Sequence, residues 1–160
     1  MVYTLRSTKI PDQLIMKNIS IIVGSQMGSA EYVAEQLQDT LVENNFIVTV
    51  HEQPVLADIA DTVWLICTST HGAGELPDNI QAFAADLSQG NALSNIHYAV
   101  IGLGDSSYDQ FNQAAKQVDQ LLLDKGAHQL LDRLEIDAQS EDLPEDIALA
   151  WLPQFIATLG

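Results

Sequence analysis

Three short segments hold the residues best suited to gripping a ligand. The first, Gly24-Ser25-Gln26-Met27-Gly28-Ser29 running into Ala30, offers successive backbone N–H groups, hydroxyls and an amide. It also has glycine freedom where a helix should begin. That combination is an anion cradle. It contains no Lys or Arg, so amides, hydroxyls and the helix dipole would hold the anion in place of countercharge. The second segment, Ser69-Thr70-His71-Gly72-Ala73-Gly74-Glu75-Leu76, stops at Pro77; the third is Gly102-Leu103-Gly104-Asp105-Ser106-Ser107-Tyr108. Each alone also reads as an ordinary polar strand-to-helix turn, with Asp105 a plain helix cap. His51, His97 and His128 show no ligand spacing, so no metal site is expected. Cys67 lies in an apolar run, reads as a small buried hydrophobe, and as the single cysteine excludes an internal disulfide.

The elements that must position these loops follow from hydrophobic period. Ile19, Ile21, Ile22 and Val23 form a β-branched run without alternation, expected of a central parallel strand buried on both faces. Ala30, Val33, Ala34, Leu37 and Leu41 then recur at helical spacing as far as Asn44-Asn45. Phe46–Val50 reads as a second strand, Val63–Cys67 as a third and Ile96–Ile101 as a fourth, with Gln129–Ile136 as a fifth. Between them, Pro77 opens a helix carried by Ile80, Phe83, Ala84 and Leu87, and another is marked by Phe111, Ala114, Ala115, Val118, Leu121 and Leu122. A last helix opens at Pro144 with Ile147, Ala150, Trp151 and Phe155 on one side, and Pro153 should kink or interrupt it. Strand and helix thus alternate about five times, the pattern of a doubly wound α/β domain with a parallel sheet. Loops after the first, third and fourth strands share one chain direction and gather at the carboxyl end of such a sheet. With strand order 2-1-3-4-5 the crevice lies between the first and third strands.

Composition narrows the function classes. The 160 residues suffice for one domain, and no apolar run approaches the length of a membrane span. Residues 1–15 show neither period nor the apolar core of a secretory signal, so they read as an appendage that need not be ordered. Residues 16–160 read as the domain, with the cytoplasm as default location. The formal charge is −16. Residues 1–17 carry Arg6, Lys9 and Lys17 against Asp12, net +2, which leaves −18 on residues 18–160. Nucleic acid and anionic membrane are therefore poor partners, and a basic protein surface is a good one. Solubility alone is the competing account of the acidity.

GSQMGSAEYVAEQL, STHGAGELPDN and GLGDSSYDQFNQAAK resemble, in order and separation, the three FMN-binding loops of flavodoxin-like proteins. The likeness covers residues 18–159 and is closest to the short MioC-type flavodoxins, then to the FMN domains of diflavin reductases. Gln26, Met27 and Ala30 depart from the hydroxyl-rich S/T-x-T-G-x-T phosphate loop. The resemblance implies a five-stranded flavodoxin-like sheet and FMN as cofactor. Ser25, Gln26, Met27, Gly28, Ser29 and Ala30 would bind its phosphate. Thr68, Ser69, Thr70, His71, Gly72 and Ala73 would border the inner face of the ring, and Gly102, Leu103, Gly104, Asp105 and Tyr108 the outer face and pyrimidine edge, with Phe111 beside them. Tyr108 would stack on the ring, and His71 takes a place where relatives often put an aromatic. Gly72 would let its peptide turn toward flavin N5. The implied role is a monomeric electron carrier with no catalytic residues of its own, taking electrons from a flavoprotein reductase and passing them to a redox enzyme with a basic docking face. Two alternatives stay open: an FMN-dependent quinone or azo reductase, and a non-redox regulatory module on the same scaffold.

Overall fold

A computed structural model describes residues 17–25 and 28–160; the appendage at residues 1–15, and Gln26 and Met27 of the first loop, lie outside the described residues. The β-branched run forms the middle of strand β1 (Asn18–Gly24), buried on both faces as its lack of alternation requires. Ile19, Ile21 and Val23 enter one core with Leu37, Leu41, Trp151 and Phe155, whereas Ile22 enters another with Trp64, Phe83 and Leu122. Helix α1 (Ser29–Glu43) buries the expected stripe from Ala30 to Leu41 and ends at Asn44. After it come β2 (Ile47–His51), a 3-10 turn (Leu56–Asp58), β3 (Val63–Ser69), α2 (Asp78–Gln89) and β4 (His97–Gly104). The chain continues through α3 (Gln113–Asp124), β5 (His128–Gln129), β6 (Leu134–Asp137) and α4 (Pro144–Thr158).

The sheet order is β2-β1-β3-β4-β5, parallel at every pairing, with β6 also paired to β4. This is the α/β doubly wound arrangement expected, with one correction. The fifth strand is not continuous: β5 pairs with the start of β4 (His97↔His128), β6 with its end (Ile101↔Leu134), and residues 130–133 bow out between them. Gln129 and Arg133 explain the break, because both bind the carboxylate of Asp119 on α3. Four residues of extended strand would separate them by roughly 13 Å; the bow shortens that span.

Two helices also differ from expectation. Helix α3 begins at Gln113, two residues beyond Phe111, because Asn112 takes a left-handed conformation (φ 54°). Helix α4 runs unbroken through Pro153, and it buries Ala148, Trp151, Leu152 and Phe155 while Ala150 is exposed. Pro153 is itself exposed, so the Leu149 carbonyl left without its N–H partner lies toward water, where the loss is small.

On β1, buried Ser20 donates to Asp61 Oδ2 at 2.8 Å and lies 3.3 Å from His51 Nε2. Desolvation holds the His51 pKa below its ordinary 6.5 against the pull of Asp61 and Asp58. The unfolded chain therefore takes up that proton first, and this contribution to stability, full above the ordinary value, is lost as pH falls from there through the lowered folded-state value.

Candidate functional site

The β1–α1 loop starts from a forced glycine. A Cβ on Gly24 would sit 2.3 Å from Thr68 Oγ1, so the two strands can lie side by side here only without one. Thr68 itself is fully buried beneath this contact and does not face the cavity described below. Ser25 donates its N–H to Asn79 Oδ1 (2.9 Å), and its Oγ accepts the Gly28 N–H (2.9 Å). Asn79, in the first turn of α2, also donates to Val23 O and Glu52 O at 2.7 and 2.8 Å. One amide thus ties together the ends of β1 and β2 and the first loop. Gly28, at φ 87°, precedes α1 with no side-chain cap, and among the described residues the first backbone N–H bonded back is that of Tyr32, to Gly28 O. The preceding N–H groups of Ser29, Ala30 and Glu31 remain at an electropositive helix end. Ala30 contributes only its N–H, its side chain being in the core.

The β3–α2 loop is a tight turn in which His71 and Glu75 exchange backbone hydrogen bonds of 2.8 Å in both directions. Gly72 (φ 50°) and Gly74 (φ 113°) are left-handed, so the turn itself requires glycine at both positions. Thr70 Oγ1 accepts the Ala114 N–H at 3.1 Å and so caps α3 from across the site. Ala73 is exposed on the outer side of the turn.

In the β4–α3 loop, a Cβ at Gly102 would meet Ala115 Cβ at 2.6 Å and Asn112 Oδ1 at 2.7 Å, and one at Gly104 would meet Asn112 Oδ1 at 2.8 Å. These glycines make room for a fully buried Asn112, whose Nδ2 makes one long bond to Ile136 O and whose Oδ1 has no partner. Beyond Gly104 the chain turns, Tyr108 N–H bonding to Asp105 O. Asp105 Oδ1 accepts the Ser107 N–H (2.9 Å), Ser107 Oγ–H (2.6 Å) and Gln139 Nε2–H (2.9 Å). Asp137 Oδ1 accepts the N–H groups of Ser106 (3.0 Å) and Gln139 (2.9 Å). Bonds from Ser107 foremost hold the Asp105 carboxyl below the usual range, and bonds from Ser106 foremost do the same for Asp137. Both carboxylates therefore keep this arrangement above the ordinary carboxylate range and surrender it only as pH falls below that range. The N–H groups of Ser106, Ser107 and Tyr108 are all spent inside the protein, and only that of Asp105 lacks a described partner.

These loops enclose a cleft of about 460 Å³. From the first loop Ser29 lines it; from the second Ser69, Thr70, His71 and Gly72; from the third Leu103, Gly104, Asp105 and Tyr108. Tyr108 stands at the rim with 67% of its surface exposed. Ser25, Gly28, Ala30, Ala73, Gly102 and Phe111 lie outside the walls. Sequence reasoning missed Gln110, Asn112 and a fourth wall made by Ile136 of β6, Ala138 just after it and Pro144 at the start of α4. The loop after β6 and the first turn of α4 also bring Glu141, Asp142, Glu145 and Asp146 to the same end as Glu75, Asp78 and Asp109.

The family model described as Flavodoxin matches residues 21–151. The chain is 45% identical over 143 residues to a "Protein MioC homolog" of Pasteurella multocida, covering 88% of this chain and 97% of that one. It is 36% identical over 144 residues to "Flavodoxin YqcA" of Escherichia coli strain K12, covering 88% and 97% respectively. Among solved structures, a mutant flavodoxin from Pseudomonas aeruginosa superposes with a TM-score of 0.82 at 36% identity, covering 89% of this chain and 98% of that one.

Proposed function

The chain belongs to the flavodoxin family, and on that premise we propose that it is a small FMN-binding electron carrier. It takes electrons from a flavoprotein reductase and passes them to a redox enzyme. The observation that carries this reading is the cleft itself. It opens beside an exposed aromatic, is walled by backbone-rich loops, and has the uncapped end of α1 in its first loop. A volume of about 460 Å³ lies in the ordinary range for a small cofactor.

FMN, when bound, would supply the one- and two-electron chemistry. The chain's part is to hold and tune it. The N–H groups of Ser29, Ala30 and Glu31, which have no partner among the described residues, and the Ser25 hydroxyl are suited to a terminal phosphate, with no cation required. Ser69 to Gly72 would form the inner wall and Tyr108 the outer cover, while the Asp105 N–H is the donor available to the polar edge of the ring. Acidic side chains around the opening disfavour added negative charge on whatever is bound, which lowers its potential. No helix among the described residues is long and apolar enough to cross a membrane, and the cytoplasm is the compartment this reading implies.

Titration of the flavin-free protein, followed by flavin fluorescence and calorimetry, is expected to show about one equivalent of FMN bound in preference to FAD. A preference for FAD, or no flavin binding, overturns the assignment. The partner is expected to present a basic face, because residues 18–160 carry a net charge of −18. Stopped-flow reduction by a flavoprotein reductase should slow as salt shortens the Debye length to about 8 Å and below. Replacing Glu75, Asp78 and Asp109 together by their amides should flatten that dependence with FMN still bound. Equal salt slopes would mean that the charge does not steer docking.

A further inference from the structure

The loop after β6 is the one wall of the cleft that neither the glycine-rich motifs nor the periodicity pointed to, and it is tied to the third loop by more than contact. Gly104 and Asp137 are register partners at the ends of β4 and β6, and the Ala138 N–H continues that ladder to Gly104 O at 2.7 Å. From this anchored base two side chains reach across. Asp137 Oδ1 takes the Ser106 N–H, and Gln139 Nε2 donates to Asp105 Oδ1, while Asp137 also fixes Gln139 through its N–H. The turn between Asp105 and Tyr108 therefore has its first two residues pinned from outside. Its last, Tyr108, has little packing of its own, with 67% of its surface exposed. An aromatic that is not held by neighbours can face a ligand only if its backbone is fixed.

We propose that Asp137 and Gln139 are positioning residues for the ligand cleft: they latch the 105–108 turn so that Tyr108 stands over the opening and the Asp105 N–H points free of internal bonds. They touch the cofactor in neither role, and they act through Tyr108 and Asp105. The proposal rests on the FMN reading given above. It follows that the latch works largely through Tyr108, so once Tyr108 is removed the latch should matter little to affinity.

The test is a double-mutant cycle on the full chain, with FMN as the probe and flavin fluorescence quenching as a second readout. Asp137→Ala is expected to weaken FMN binding by about tenfold, the size of one lost charge-assisted hydrogen bond, and to relieve part of the Tyr108-dependent quenching. Asp137→Asn, whose amide oxygen can still accept from Ser106, should stay within about threefold of wild type, and Gln139→Ala should fall between the two. In a Tyr108→Ala background, Asp137→Ala should cost less than about threefold. If wild type binds FMN and Asp137→Ala binds it equally well, or if the effects of Asp137→Ala and Tyr108→Ala simply multiply, the latch is refuted. If wild type binds no flavin, the functional assignment fails first, which distinguishes the two failures. Should Asp137→Ala not fold, the same cycle run with Gln139→Ala decides the matter by the same criteria.

Discussion

Replacing Arg133 by methionine is expected to destabilise the folded chain by about 3 kcal/mol, the lower end of what breaking a buried ion pair costs. Asp119 is 4% exposed at its side chain, on the buried side of α3, and Arg133 Nη1 meets it at 2.6 Å. Tyr98 Oη–H donates to the same carboxylate at 2.6 Å, and burial pushes the Tyr98 pKa far up, so the phenol stays a donor at any working pH. Gln129 Nε2 adds weaker contacts, and Arg133 is bound in turn to Glu135 at 2.9 Å. Methionine would keep much of the stem's packing but leave Asp119 a buried carboxylate without its cation. The low end of the range applies because Arg133 is 26% exposed and water can partly replace it. Pairing the change with Asp119→Asn should recover most of the loss, since the amide oxygen still accepts from Tyr98 without a charge to neutralise. Urea unfolding of the single and double variants measures this. A single variant within about 0.5 kcal/mol of wild type, the scatter of ordinary surface changes, would show that the cluster contributes nothing.

Tyr108→Ala should weaken FMN binding by about a hundredfold while hardly altering the stability of the flavin-free chain. Two terms add. Covering roughly 80 Å² of a tyrosine now facing water is worth about 2 kcal/mol, and ring-on-ring contact contributes about 0.5–1.5 kcal/mol beyond it. The side chain is two-thirds exposed in the described structure, so the unliganded fold has little to lose. Tyr108→Phe should remain within a few-fold of wild type, because the ring and not the hydroxyl is the covering group. Equal affinity for Tyr108→Ala and wild type would show that the tyrosine does not cover the ligand.

Much of this molecule can be read from its residues, and the misreadings have physical causes. The buried parallel strands follow from unalternating runs such as Ile19–Val23 and Val63–Cys67, because a strand buried on both faces leaves no other pattern, whereas their order comes with the flavodoxin-like resemblance. Asp119 had a signal that went unused. It lies with Ala115, Val118 and Leu122 on the apolar stripe of α3, and a carboxylate there must find partners. The fourth wall of the cleft carries no glycine, the signal that marks the other three loops as ligand-facing. Yet Ala138-Gln139-Ser140 follows a strand of the same direction and must emerge at the same end. Asn79 gave less to go on. Its place in the first turn of α2 is visible in the sequence, but its bond to Ser25, fifty-four residues away, depends on how α2 lies against β1. The glycines at 102 and 104 were read as ligand-facing backbone. Both also have a packing partner in Asn112, whose left-handed backbone immediately before Gln113 also delays the start of α3.

The divided outer strand bears on how these molecules behave when crowded together. An uninterrupted fifth strand from 129 to 136 would present a long row of unpaired backbone groups along one side of the sheet, a template on which a second copy could add. Instead that border consists of two residues, a bow, and four residues, and the bow carries Asp132 and Arg133. Both pieces are shorter than the commonest strand length of about five to six residues, so neither offers a long run for a cross-chain ladder. The ion cluster that closes the bow from inside thereby also serves the outside, keeping a sheet border discontinuous and discouraging fibrous association in a chain that must stay dispersed.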